Sequence, residues 1–143
     1  MAHVVVEHRY HVTLYPLHAV FLAGTVPLFL GALLSDIAYS RSFHIQWSNF
    51  ASWLIAGALV FAGIALVFAL VDLFRPYQRA RGSVLYFIVL LATWILGFIN
   101  ALWHARDAWA VMPMGLVLSI VVTLLACLAT WLGFRTPRVL GPL

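Results

Sequence analysis

Residues 54–71 read LIAGALVFAGIALVFALV, eighteen positions without one charged or hydrogen-bonding side chain. A helix needs about 20 predominantly apolar residues to cross the hydrocarbon layer of a bilayer. This run reaches that length between about Ser48 and Phe74. Working outward, three more stretches pass the same test: about Pro16 to Tyr39, about Ser83 to His104 and about Trp109 to Phe134. The composition agrees. Of 143 residues, 65% are hydrophobic and 8% are charged, against roughly 25% charged in an ordinary soluble domain. Four Asp/Glu, eight Arg and no Lys cannot clothe a water-facing surface, so lipid must solvate much of the outside.

The connections over 41–47, 75–82 and 105–108 leave room only for tight turns, which makes sequential helices antiparallel. The expected fold is an all-α integral membrane protein, four transmembrane helices in an up-down bundle. It forms a single transmembrane domain over 1–143, with residues 1–15 as a short cytoplasmic tail. The tail carries Glu7, Arg9 and three histidines, and the apolar run after it exceeds a signal-peptide core, so the first span is expected to stay attached.

The formal charge of +4 comes from arginines placed in short loops, which speaks for topology and against nucleic acid. With a cytoplasmic N-terminus, Arg9, Arg75, Arg79, Arg81, Arg135 and Arg138 lie inside and only Arg41 and Arg106 outside. Both termini are therefore expected in the cytoplasm, with Trp47, Trp103 and Trp109 at the outer interface. Pro16 suits a first helical turn, and Gly133 with Pro137 the exit of the fourth span. Pro27 falls mid-span, where it should kink the first helix and free a carbonyl for Thr25 or another helix to satisfy.

In lipid, small and hydrogen-bonding residues mark the face turned toward other helices. The first span carries His18, Thr25, Ala32 and Asp36 on one face, and the second Ala58, Ala62, Ala65, Ala69 and Asp72. Tyr86, Thr93, Gly97, Asn100 and His104 mark the third, and Ser119, Thr123, Cys127 and Thr130 the fourth. Antiparallel topology sorts the ionisable residues into two layers. Asp36, Asn49, Asn100 and His104 gather near the outer end, and His18, Asp72 and Tyr86 near the cytoplasmic end.

Each aspartate lies near the C-terminal end of its helix, where the dipole is negative, so each needs a partner. Arg75, Arg79 or interfacial water would serve Asp72; His104, Asn100 or Arg41 would serve Asp36. Either a structural clasp or a ligand or proton site fits the five candidates Asp36, Asn100, His104, His18 and Asp72. No HxxxH or ExxH pair is present, so no metal site is expected. A b-type haem needs two facing histidines at one depth; on the outer side only His104 with the loop residue His44 offers that, and on the inner side His18 could pair only with the tail histidines. No GxSxG, phosphate-binding glycine loop or converging Ser/His/Asp set is found, and no enzyme activity is expected.

Four segments carry a family resemblance. They are Pro16-Leu17-His18-Ala19, Leu34-Ser35-Asp36, Trp47-Ser48-Asn49-Phe50-Ala51-Ser52-Trp53 and the Gly57–Asp72 run closing on Val71-Asp72-Leu73. Together they resemble the bacterial membrane proteins of domain of unknown function family 2231. The resemblance implies a four-span protein of the bacterial inner membrane with no established activity, and the family-like polar positions would be His18, Asp36 and Asp72. Members open on a His-Pro pair ahead of a second His; here Tyr15 precedes Pro16, which weakens a two-histidine site there.

The family's association with periplasmic dehydrogenases and c-type cytochromes suggests partners without supplying a mechanism. Three functions follow as expectations. The first is a small subunit or anchor of a membrane complex, a redox complex among the options, acting as a homo-oligomer or beside such a partner. The second is a haem b or quinone binder using His18 or His104. The third is an oligomeric proton or small-solute transporter titrating Asp36 or Asp72, although no inverted repeat is visible.

Overall fold

The computed structural model describes residues 14–74 and 82–135. Four helices dominate it: α1 (Pro16–Ser42), α2 (Ile45–Phe74), α3 (Ser83–His104) and α4 (Met114–Arg135). All four are long and apolar enough to cross a membrane. The shortest have 22 residues, which at 1.5 Å per residue is about 33 Å against a hydrocarbon core of about 30 Å. Each helix packs on two neighbours, closing the ring α1–α2–α3–α4. The chain is an all-α membrane bundle. Its α1–α2 and α3–α4 turns lie at one end, the turn end; the other is the terminus end.

Helix α1 starts with Pro16 in its first turn, where a missing N–H costs nothing. It runs unbroken through Pro27 to Ser42. Pro27 leaves the Ala23 carbonyl without its helical amide. The Thr25 hydroxyl donates to the Leu22 carbonyl at 2.7 Å and the α4 residue Thr130 reaches the same oxygen at 3.4 Å, one residue short of that gap. Phe43 ends the helix in the left-handed region, φ 54°, with its N–H bonded to the Tyr39 carbonyl. Such a conformation costs an L-residue about 1–2 kcal/mol. The Phe43 ring offsets that cost by packing edge-on to Tyr39 and stacking on Trp109.

Helix ends differ from the apolar runs in two places. α1 and α2 continue until only Phe43 and His44 separate them, because backbone pairing can outlast the hydrocarbon layer. The fourth helix begins at Met114 rather than near Trp109. Pro113 disfavours a helical Met112, and residues Ala108–Ala110 form a separate 3₁₀ turn whose Trp109 N–H faces the Asp107 carboxylate. The 1–15 tail, apart from Leu14 and Tyr15, lies outside the described residues, as do Arg75, Arg79, Arg81, Pro137 and Arg138.

Small residues set the helix spacing. A β-carbon on Gly133 would lie 2.5 Å from Leu22 Cδ2 and 2.9 Å from Tyr86 Cε2. Gly133 is thus a packing position inside α4, and the helix exit expected there comes later. Ala58, Ala62, Ala65 and Ala69 are buried as their spacing implies. On α4 the buried face includes Ser119, Val122, Ala126, Ala129 and Gly133, and Cys127 is exposed. Eight residues at 100° each carry Cys127 about 80° past Ser119, whereas seven bring Ala126 back to within about 20°.

α1 and α3 run in the same direction and touch across the bundle diagonal. His18 meets Tyr86 and Asp36 meets His104, each pair 68 residues apart. The same offset relates buried Leu22, Thr25, Phe29 and Ala32 to buried Leu90, Thr93, Gly97 and Asn100. It also relates Ala51, Ala58 and Ala65 of α2 to Ser119, Ala126 and Gly133 of α4. The two hairpins thus bury matching faces as a same-direction repeat.

Candidate functional site

At the turn end, three helices converge on one carboxylate. Asp36 and His104 have fully buried side chains, and Nε2 of His104 lies 2.9 Å from Asp36 Oδ1. The Ser119 hydroxyl donates to Oδ2 at 2.5 Å and itself accepts from the Asn100 amide at 2.9 Å. Nδ1 of His104 stands 3.0 Å from the Asn100 backbone carbonyl. A carbonyl oxygen only accepts, so Nδ1 carries a hydrogen. The Nε2–Oδ1 contact is then held by one further proton, shared as neutral acid with imidazole or as carboxylate with imidazolium. Both arrangements leave the pair with no net charge, the condition a low-dielectric interior favours.

One atom stays unsatisfied. Oδ1 of the buried Asn100 has no hydrogen-bond partner among the described residues, and an orphaned buried acceptor costs about 1–3 kcal/mol. Exchanging the amide's N and O does not remove the problem, because an NH2 group would then be left in the same place.

The α3–α4 connector covers this cluster. The Tyr39 hydroxyl donates to the Ala108 carbonyl at 3.0 Å, and the Trp103 indole to the Val111 carbonyl at 3.2 Å. Val111 is fully buried. A β-carbon on Gly115 would lie 2.6 Å from Val111 Cγ1 and 3.1 Å from His104 Cε1, so the missing side chain lets the connector close onto the imidazole.

At the terminus end, Nε2 of buried His18 lies 2.7 Å from the Tyr86 hydroxyl and its ring stacks on Phe68. Nδ1 is 3.8 Å from Asp72, whose side chain is 20% exposed. Arg75 and Arg79, expected beside Asp72, lie outside the described residues. His18 and Asp36 are eighteen residues apart on α1, about 27 Å along the axis. Buried Leu22, Phe29 and Leu90 fill the interval, and the hydroxyls of Thr25 and Thr93 turn back to carbonyls of their own helices.

Asp36, Asn100 and His104 therefore share one cluster, while His18, Tyr86 and Asp72 share the other. Asn49 is exposed and takes no part in the turn-end cluster, since it falls one position past buried Ser48 on α2. Arg41 and His44 are exposed as well. The Asp36 oxygens are occupied by His104 and Ser119 instead of Arg41, and the ring nitrogens of His104 face Asp36 and its own helix instead of His44. Among the described residues no three metal-type side chains cluster. The sequence named Ser119 only as a packing position. Its site role was readable from topology, because the first turns of α4 lie level with the last turns of α1 and α3.

The model of a family described as a predicted membrane protein, DUF2231, matches residues 14–139. No curated protein and no solved structure matches the chain. With that match running from the start of α1 past the end of α4, the chain belongs to the DUF2231 family of membrane proteins.

Proposed function

We propose that this protein is a non-enzymatic subunit or anchor of a membrane complex in the bacterial cytoplasmic membrane, with both termini cytoplasmic. The observation that carries the reading is where the polar groups go. Asp36, His104, Ser119 and Asn100 bond to one another at one end, and His18 to Tyr86 at the other. Packed Leu22, Phe29 and Leu90 close the bundle between them. Its broad apolar periphery is then the surface left for lipid and partner helices. The orientation is supported by the arginine count along the sequence, two beside the α1–α2 and α3–α4 turns (Arg41 and Arg106) against six in the terminal segments and around the α2–α3 connection. Arg106 stacks over Trp103 and Arg135 over Trp131, each 4.6 Å from the ring centroid, as interfacial anchors do.

A redox partner such as a periplasmic dehydrogenase or cytochrome, or a second copy of the chain, would meet that periphery. His18 and His104 stand at opposite ends, so the two do not hold one haem between them within one copy. The test is gentle extraction from the native membrane into lipid nanodiscs, followed by native mass spectrometry. A stoichiometric assembly with another polypeptide or a second copy is expected. A lone monomer carrying only lipid would overturn the reading.

The buried Asp36–His104 contact favours a second reading, a proton-binding role. Replacing Asp36 with Asn and measuring proton uptake in vesicles tests it. Unchanged uptake would leave the pair a purely structural clasp.

A further inference from the structure

Resting for its proton on the second reading above, we propose that the turn-end cluster is a binding site for one proton and one water molecule, exchanged with the aqueous phase beneath the α3–α4 connector. The proton is the one held between Asp36 Oδ1 and His104 Nε2. Its position follows from saturation elsewhere: Nδ1 is committed to the Asn100 carbonyl, and Ser119 donates to Oδ2 while accepting from the Asn100 amide. The proton can move between Oδ1 and Nε2 without creating net charge.

The water is called for by Asn100. Its Oδ1 is fully buried without a partner among the described residues, on the amide whose nitrogen already belongs to the cluster. A water donates one hydrogen there and keeps another hydrogen and two lone pairs for the neighbouring polar groups, as buried waters do.

The cluster stands near one end of the bundle, with Asp36 six residues before the end of α1 at Ser42. Toward the terminus end stand Phe29 and Leu90. Toward the turn end, Val111 and the imidazole both close on Gly115, and the Tyr39–Ala108 hydrogen bond ties the connector to α1. The titratable groups facing the cluster are Asp36 and Tyr39 from α1 and His104 from α3; α4 offers the Ser119 hydroxyl, and the buried face of α2 there is Ser48, Ala51 and Ile55. Arg41, His44, Arg106 and Asp107 are exposed at this end.

Infrared difference spectroscopy of the full chain in lipid vesicles, stepped in pH and repeated in H2¹⁸O, tests the site. Wild type is expected to give a water O–H band that shifts with ¹⁸O, together with carboxyl and imidazole bands that change in concert. Asn100→Leu should lose the water band, and Asp36→Asn the carboxyl band. No ¹⁸O-sensitive band in wild type, or the same band in Asn100→Leu, overturns the water; carboxyl and imidazole bands that titrate independently overturn the shared proton. Should Asn100→Leu not fold, the isotope shift in wild type and its loss in Asn100→Met, which also removes the Oδ1 acceptor, decide. Tyr39→Phe should speed hydrogen–deuterium exchange of the pair roughly two- to twelvefold, the effect of one net hydrogen bond. An unchanged rate would exclude the connector as the cover.

Discussion

Asp36 on α1 and His104 on α3 join diagonal corners of the bundle by a 2.9 Å contact between two fully buried side chains. Neither residue has a comparable partner without the other, because the Ser119 hydroxyl is too weak a donor to neutralise a carboxylate alone.

Removing one member should therefore strand the other, so that the two losses do not add. Asp36→Leu or His104→Leu is expected to destabilise the bundle by about 3–5 kcal/mol, and Asp36→Asn by about 1 kcal/mol, since an amide keeps hydrogen bonds without charge. The double replacement Asp36→Leu/His104→Leu should fall short of the summed single effects by about 0.5–3 kcal/mol. Equilibrium unfolding in mixed micelles measures all four.

The terminus-end clasp should be weaker. Tyr86→Phe deletes only the hydroxyl at 2.7 Å from His18. Interhelical hydrogen bonds in membranes average about 0.6 kcal/mol and reach about 1.7. The same unfolding assay should rank Tyr86→Phe below His104→Leu.

Three glycine-to-alanine replacements separate close approach from ordinary contact. At Gly115 and Gly133 the new β-carbon meets atoms at 2.6 Å and 2.5 Å, whereas at Gly57 its nearest neighbour, Leu28, is 3.9 Å away. Overpacking at the first two should cost about 1–3 kcal/mol. Gly57→Ala should be neutral or stabilising, given alanine's helix preference of about 1 kcal/mol. Gly115→Ala should also perturb the imidazole resonances of His104, which it presses directly.

Cys127 is exposed on α4 while its neighbour Ala126 is buried. In intact vesicles Cys127 should react with a lipid-soluble maleimide and resist a membrane-impermeant one. A cysteine moved to position 126, in Cys127→Ala/Ala126→Cys, should resist both. Rapid labelling of Cys127 by the impermeant reagent would place this face of α4 in water.

Much of the bundle was legible because two simple constraints acted together. Apolar runs of bilayer length fixed four helices, and the need to turn polar groups inward fixed the faces of α1 and α3, where His18, Thr25, Asp36, Tyr86, Asn100 and His104 are all buried. Spacing alone misleads elsewhere. Stepping by four along α4 drifts onto Cys127, and depth alone puts Asn49 level with a cluster that its helix turns it away from. The connector was illegible for another reason. Trp109 and Val111 look as apolar as the span they precede, yet Pro113 breaks the helix, and only packing in three dimensions sends Val111 over His104. Likewise the single proton of the pair depends on who donates to whom, which no linear pattern encodes.

The decisive measurement is an internuclear distance in the membrane. Solid-state NMR dipolar recoupling between ¹³Cγ of Asp36 and ¹⁵Nε2 of His104, in protein reconstituted into lipid bilayers, should find the two nuclei at hydrogen-bonding separation, with both side chains shielded from lipid and bulk water. A pair too distant for dipolar contact, with either side chain showing cross-peaks to acyl chains or rapid exchange with bulk water, would contradict a bundle whose polar groups are turned toward one another.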